Sequence, residues 1–385
     1  MTQNFDAIVI GAGYIGCSVA YHLCSAGLKT ALFDQGGIAS GASAANYGNI
    51  QIQDMELEKS VELTKLGQTF HAALEDELDW KIGLRKIGGL LPIENETQWE
   101  IMRLRREKLN RVGIRSELIP SERLPEVEPY LNPQNLLGAL YHPDEGQVDP
   151  FQLIWGYIRR ARQMGLSEFL QTEVTGLEIK NNRVCGVKTP KGNFGAKNVI
   201  VCAGAFTRRL GQSIGRNWDV RHVLGQAMVT ERVDFILRNH IASASFFEAG
   251  GELKKGEILA NLAISQSTHG NILVGEAMYA ADHFKTHVPA KSMPAVAACW
   301  ARYFPTLAKL RVLRSWSAPV ADTSDGLPLL GPVSGADGLY VATAFRSTVV
   351  ITPLVGKTMA QLIATGKSDL NIADFHPERT PHETH

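Results

Sequence analysis

Cysteine is scarce in this sequence and never paired. The five cysteines among 385 residues (Cys17, Cys24, Cys185, Cys202 and Cys299) are scattered, with no CxxC and no framework spacing. That usage excludes a disulfide scaffold, argues against an iron–sulfur cluster held by this chain, and fits buried free thiols in a reducing compartment. No sign of charge prevails: Lys plus Arg and Asp plus Glu number 39 each, so no global field recruits nucleic acid or an acidic membrane. No stretch approaches the roughly 18 uncharged apolar residues of a membrane span, and the polar opening Met1-Thr2-Gln3-Asn4 is not a signal peptide. A soluble, cytoplasmic protein is expected. HExxH is missing: His283 and His287 sit four apart in HFKTH, without the glutamate, and read as solvated surface, so no metal site is expected. There is no GxSxG elbow for Ser-His-Asp hydrolysis.

What is present is ample apolar material, 44% of residues, enough for two domains and a core that encloses a cofactor. Phe5–Ile10 (FDAIVI) is a short, fully buried strand pattern. A glycine turn and a helical period from Ile15 to Ala26 follow, with Gly27 as its stop, and Thr30–Phe33 is a second strand ending at Asp34. Strand, turn, helix and strand within about 30 residues make a βαβ unit. Further on, the pattern predicts helices over Glu56–Leu78, Gln98–Val112 (with Thr97 and Glu100 as a capping box), Phe151–Met164 and Pro353–Thr365, Pro353 near the first turn. Buried strands are expected at Asn198–Cys202 and Gly338–Ala344, a bent strand at Arg85–Ile93, and a strand pair over Phe169–Thr189 turning at Asn181-Asn182. Residues 220–319 alternate, as in an antiparallel sheet with turns at Gly250-Gly251 and His269-Gly270. The last dozen residues read as a loose tail.

The chemistry starts at Gly11-Ala12-Gly13-Tyr14-Ile15-Gly16. Gly11 allows the turn, Gly13 lets backbone approach a diphosphate, and Gly16 lets the helix pack on the sheet, with the diphosphate at the positive end of the helix. By itself GxGxxG is weak, but here a strand precedes it and a helix follows. Asp34 lies about 20 residues further on, where an acid accepts from a ribose 2′-OH and disfavours NADP. The small-residue run Gly36–Gly48 has the composition of a linker, or of a loop that closely approaches a ligand. NAD or FAD is not settled by these residues.

These motifs, with Ser40-Gly41-Ala42-Ser43, Val199–Ala205 (VIVCAGA) and Ser324–Pro332 (SDGLPLLGP), resemble the D-amino-acid oxidase and glycine oxidase group of flavoenzymes over nearly the whole chain. The resemblance implies noncovalent FAD. Its contacts would be Gly11, Gly13, Tyr14, Ile15, Gly16, Asp34, Gln35, Ser40, Gly41, Ala42, Ser43 and Asn49, then Val174 at the adenine, and Ala203 and Gly204 beside the cofactor. In Ala344-Phe345-Arg346-Ser347-Thr348 the group commonly carries glycines that contact the flavin; this chain has Ser347 and Thr348 instead, and the resemblance implies Arg346, Ser347 and Thr348 as the cofactor contacts there. Arg346 would stabilise reduced flavin or bind a substrate carboxylate, with a surface salt bridge as the alternative. The arginine that clamps substrate in glycine oxidases is replaced by Ala318. Ile264–Gly275 resembles the β subunits of multi-subunit opine, proline and hydroxyproline dehydrogenases. That implies partner subunits with other redox centres, in some cases an FMN at a subunit interface. Gln266, His269 and Glu276 are candidates to face a small amine or amino-acid substrate, with hairpin structure as the alternative; His269 joins Arg346 as a candidate catalytic residue.

The expected fold is α/β: a Rossmann-type FAD-binding domain from 1–85, 145–215 and 320–385, interleaved with a substrate domain on a mostly antiparallel sheet from 86–144 and 216–319.

Overall fold

The computed structural model describes residues 3–381, apart from 54, 249–255 and 281–282. The expected turn at Gly250-Gly251 lies outside the described residues. β1 (Asn4–Ile10), α1 (Tyr14–Ser25) and β2 (Thr30–Phe33) form the opening βαβ unit, β2 parallel to β1. Gly27, at φ +78°, stops α1 with its N–H on the Cys24 carbonyl at 2.9 Å. After β3 (Asn49–Ile50), α2 spans Val61–Leu78. It starts later than expected because Glu56 is spent on a cap: its carboxylate accepts from Lys59 N (2.7 Å) and Ser60 N (2.9 Å).

The bent strand is β4 (Arg85–Lys86) and β5 (Gly88–Ile93), and α3 is Glu96–Arg111. Thr97 and Glu100 do not cap α3. Asn95 Oδ1 accepts from Gln98 N at 2.9 Å while Gln98 Oε1 accepts from Glu94 N at 2.7 Å, a reciprocal device set earlier in the chain. β6 (Glu117–Pro120), α4 (Leu124–Val127), β7 (Gly138–His142) and β8 (Gly146–Gln147) lead to α5 (Pro150–Gln163), which Asp149 caps. Phe169 belongs to β9 (Ser167–Phe169), so the hairpin is only β10 (Gly176–Lys180) and β11 (Arg183–Thr189), turning at Asn181 and Asn182 with φ +49° and +58°. β12 (Gly192–Val201) and α6 (Thr207–Gln212) follow. Next come β13 (Arg221–Arg232), β14 (Asn239–Ala242), β15 (Ile258–Gln266), β16 (Asn271–Ala280) and α7 (Ser292–Tyr303). β17 (Val312–Asp322), β18 (Leu329–Pro332), β19 (Leu339–Thr343) and α8 (Thr348–Thr365) complete the order.

The strands sort into two large sheets and a small one. The first has the order β10-β11-β12-β1-β2-β9, with β19 joined to β12 and β18 to β19. Within it β12, β1, β2, β9 and β19 run parallel. The second is β17-β13-β16-β15-β14-β5-β7-β6, antiparallel except where β14 meets β5. β3-β8-β4 bridges them. The architecture is a Rossmann-type α/β layer joined to a mostly antiparallel sheet.

α8 starts before Pro353 rather than at it, so the proline lies inside the helix. Proline has no N–H for the Val349 carbonyl one turn back. His71 of α2 supplies it: Nε2 lies 3.1 Å from Val349 O and 3.2 Å from Val350 O. Burial holds the His71 ring neutral, its pKa down at about 4, so Nε2 can donate. Among the described helices α8 alone is long and apolar enough to cross a membrane; 61% of it is buried, and its apolar residues share a core with α1 and α5. The tail is not loose as far as Arg379. Arg379 forms a two-pronged, nearly fully buried pair with Asp325 at 2.8 and 2.9 Å. All five cysteines are free, but Cys185 and Cys299 are only half-buried.

Candidate active site

Five parallel strands deliver their following loops to one edge of the first sheet, where ligands of open α/β sheets bind. β1 delivers Gly11–Gly16, β2 delivers Asp34 to Ser43, β9 leads to Val174, β12 to Ala203-Gly204 and β19 to Ala344–Thr348. Gly11 is at φ +108°, and a Cβ there would overlap the Cys202 carbonyl. One on Gly16 would overlap Gly11 O, so α1 starts against its own turn. Asp34 Oδ2 accepts from Ala12 N at 2.8 Å and Oδ1 from Gly36 N at 2.7 Å. A carboxylate offers about four lone-pair sites, so room remains for a ribose hydroxyl. Thr172 N to Asp34 O (2.8 Å) and Gln171 N to Gly36 O (2.7 Å) draw the Val174 segment to the same place. Ser43 Oγ accepts from Tyr14 N at 3.1 Å, laying the small-residue loop on the start of α1. Gln35, Ser40 and Gly41 are exposed and Ala42 is half-buried. This glycine cradle, with an acid at its side and unpaired N–H groups in the first turn of α1, fits a dinucleotide diphosphate.

From that cradle the loop crosses the second sheet. Ala45 O accepts from Trp316 Nε1 of β17 at 3.4 Å. Tyr47 reaches Gly275 of β16, close enough that a Cβ there would overlap its hydroxyl. Asn49 Oδ1 accepts from Ser265 Oγ of β15 at 3.0 Å. Opposed residues of an antiparallel pair share a face. Gly225 opposes Ala318, Ala227 opposes Trp316, and Ala227 also opposes Gly275. The face turned to the loop therefore mixes small residues, Ala318 among them, with Trp316 and with Met278, which opposes Gly225.

At the end of β19 the chain turns through Ala344 (φ +58°) and Ser347 (φ +48°), both left-handed. Ser347 thus stands in a conformation that favours glycine, while Thr348 opens α8. The half-exposed Arg346 guanidinium lies over Gly326, 3.0 Å from where a Cβ would be, and 3.6 Å from Asp322 Oδ1. Sequence reasoning missed the fastening beneath it. Asp325 and Gly326 act as a pair, one held by Arg379 and the other carrying Arg346; the adjacency Asp-Gly was the only signal.

Two candidates lie elsewhere. Gln266 is buried and fully engaged, accepting from Ile236 N (2.9 Å) and Leu237 N (3.1 Å) and donating to Asp234 O (2.7 Å) and Gly270 O (3.0 Å). It pins a loop. The His269 side chain is 75% exposed on the β15–β16 turn, 3.1 Å from the Asp149 carboxylate that caps α5. Glu276 is half-buried on β16, where its charge acts on the Tyr47 phenol. Among the described residues no group of three or more His, Cys, Asp or Glu could hold a metal. His283 and His287 stand ring to ring, 5.3 Å apart, outside any helix.

Fold and cradle define a dinucleotide-binding oxidoreductase. Residues 6–362 match the family described as FAD dependent oxidoreductase (DAO), and the chain belongs to that family, with FAD as its cofactor. It is 28% identical to glycine oxidase of Geobacillus kaustophilus over 97% of both chains. To sarcosine oxidase subunit beta of Arthrobacter sp it is 25% identical, covering 98% of this chain and 91% of the relative. Mouse dimethylglycine dehydrogenase is 24% identical over 97% of this chain, which spans only 44% of that relative's length. Similar solved structures include glycine oxidase from Geobacillus kaustophilus (TM-score 0.89, 24% identity, covering 98% of this chain and 100% of that one). L-proline dehydrogenase from P.horikoshii is another (TM-score 0.87, 22% identity, 98% of each chain).

Proposed function

We propose that this chain oxidises the C–N bond of an amino acid, imino acid or opine-type secondary amine, as the catalytic FAD subunit of a multi-subunit dehydrogenase. The observation that carries this reading is the loop Ala45–Asn49, which runs from the dinucleotide cradle across β17, β16 and β15. A ring held by that loop meets a sheet face on which Gly225, Ala227, Gly275 and Ala318 are interspersed with Trp316 and Met278. Bound there, FAD supplies a two-electron acceptor: a hydride leaves the carbon beside a neutral amine, and water hydrolyses the resulting imine. Gly11–Gly16, Asp34 and Ser43 hold the nucleotide, and the sheet face orients the C–H bond and excludes water. Arg346 lends a positive charge to substrate or reduced flavin. The β-subunit relatives support partner subunits carrying further redox centres, and five separated cysteines suit a chain that leaves clusters to others.

The test is anaerobic. The yellow protein is mixed with a panel of amino acids, imino acids and opines, and one class should bleach the flavin. No bleaching by any member, or a protein that refuses FAD, overturns the reading. A stand-alone oxidase is the second reading, favoured by end-to-end similarity to glycine oxidase. Peroxide made from an amine by the purified chain alone would select it.

A further inference from the structure

The loop that crosses the second sheet is fastened along its length by one short strand. In β8, Gln147 opposes Asn49 of β3 on one side and Arg85 of β4 on the other. Val148 N donates to Gly48 O at 2.9 Å, and a Cβ on Gly48 would overlap the Val148 carbonyl, so the loop lies directly on the chain beneath it. Glu145, two residues before Gln147, accepts from Ile52 N and Gln53 N and holds the far end of the loop. The fully buried Gln147 side chain holds the near end.

Its amide is fixed in one orientation. Arg85 has only N–H groups to offer, and it donates to Gln147 Oε1. The amide nitrogen must therefore face the other way, where Gln147 Nε2 donates to Ser265 Oγ of β15 at 2.8 Å and to the Tyr47 carbonyl at 3.2 Å. Ser265 in turn donates its own proton to Asn49 Oδ1 at 3.0 Å. Arg85 is itself held, over the Phe235 ring at 4.7 Å and on Gln266 O at 2.5 Å. A cation on the carbonyl polarises an amide and strengthens the bonds that its N–H groups make inside a protein. One side chain thus ties Tyr47, whose hydroxyl rests on Gly275 of β16, and Asn49 to the strand β15. We propose that Gln147, backed by Arg85, is a positioning residue for the flavin: it sets how the loop Tyr47–Asn49 lies on the second sheet, and with it the place of the ring. This inference shares with the amine-oxidation reading only the loop's hold on the flavin, and it does not depend on the substrate.

Gln147→Glu, made in the FAD-loaded protein, is the test. The carboxylate keeps the shape and the Arg85 contact but has no N–H for the Tyr47 carbonyl. Flavin release is followed by recovery of its fluorescence on dilution, and the setting of its ring by visible circular dichroism. Release should become roughly ten-fold faster, the loss of one or two hydrogen bonds, and the dichroism should change in sign or intensity. Ser265→Ala keeps the bond to Tyr47 and cuts the tie to β15, so it should move both readouts in the same direction by less. A purely structural residue would lower the urea midpoint and leave release and dichroism of the folded protein as in wild type; that result overturns the proposal. Where Gln147→Glu fails to fold, Ser265→Ala and Arg85→Met decide, and wild-type release and dichroism in both overturn it. If no amine bleaches the wild-type flavin while Gln147→Glu releases it faster, the amine-oxidation reading fails and the positioning role stands.

Discussion

At the scale of single residues, the Asp325-Gly326 pair shows how a short motif divides its labour. Arg379 neutralises Asp325 in a nearly solvent-free setting. Removing one partner of such a pair strands a buried charge, at a cost of about 3–5 kcal/mol. Arg379→Met should therefore lower the thermal midpoint strongly, and adding Asp325→Asn should recover part of the loss. If the single variant melts with wild type, the pair does not hold the loop. Gly326 carries the Arg346 guanidinium. Arg346→Ala should cut the rate of flavin bleaching roughly ten-fold or more, the effect of losing one charge-stabilising donor, with FAD content unchanged. Unchanged rates would remove Arg346 from the site. Ser347 occupies a left-handed conformation, which costs a non-glycine residue about 1–2 kcal/mol. Ser347→Gly should raise the thermal midpoint by a few degrees; a fall would show that its side-chain interactions outweigh the strain.

At the scale of elements, α8 depends on α2. His71 replaces the hydrogen bond that Pro353 cannot make, and it does so in a buried, neutral state. His71→Ala should cost about 1–3 kcal/mol, the penalty of an unsatisfied buried carbonyl. With Pro353→Ala that penalty should shrink, because residue 353 regains an N–H for Val349 O; equal penalties in both backgrounds, measured by urea unfolding, would refute the link. This also shows what the sequence could say. The first βαβ unit was legible to within a residue or two because burial on both faces, a glycine turn and a glycine stop agree locally. The same holds for β19 and the hairpin turn at Asn181-Asn182, whereas β12 starts at Gly192, six residues before the expected Asn198. The start of α8 was not legible, since the compensation for its proline lies on another helix far away in sequence. Nor was the cap of α3, where several polar residues compete and geometry chooses Asn95. At the site, the cradle residues Gly11, Asp34 and Ser43 were recognisable from spacing and resemblance. Gln266 and His269 look like any polar hairpin residues until partners are known. Tyr47 gave no signal at all, because its neighbour Gly275 arrives from β16.

For the whole molecule, three buried histidines set an acid limit. Burial holds His22, His71 and His142 at about 4, with the Lys357 charge assisting at His22, against 6.5 for a free ring. Between those values the unfolded chain binds protons that the folded chain refuses, so falling pH favours unfolding. The stability contributed by the neutral rings is full above about pH 7 and drains as the solution approaches pH 4, by up to about 3 kcal/mol per histidine. The urea midpoint should drop between pH 7.5 and 5; an unchanged midpoint would show that these rings are hydrated. FAD should raise it at both values, since a ligand at 100 times its dissociation constant stabilises by about 2.7 kcal/mol. The layout of the first sheet has a consequence for synthesis. β1 leaves the ribosome well before its partner β12, roughly 190 residues downstream, and β19 comes later still. At about 5–20 residues per second, the nascent strand waits some ten seconds or more with one edge unmet. The nucleotide pocket is thus a late product of translation, and one edge of β1 stays unpaired until its distant neighbour emerges.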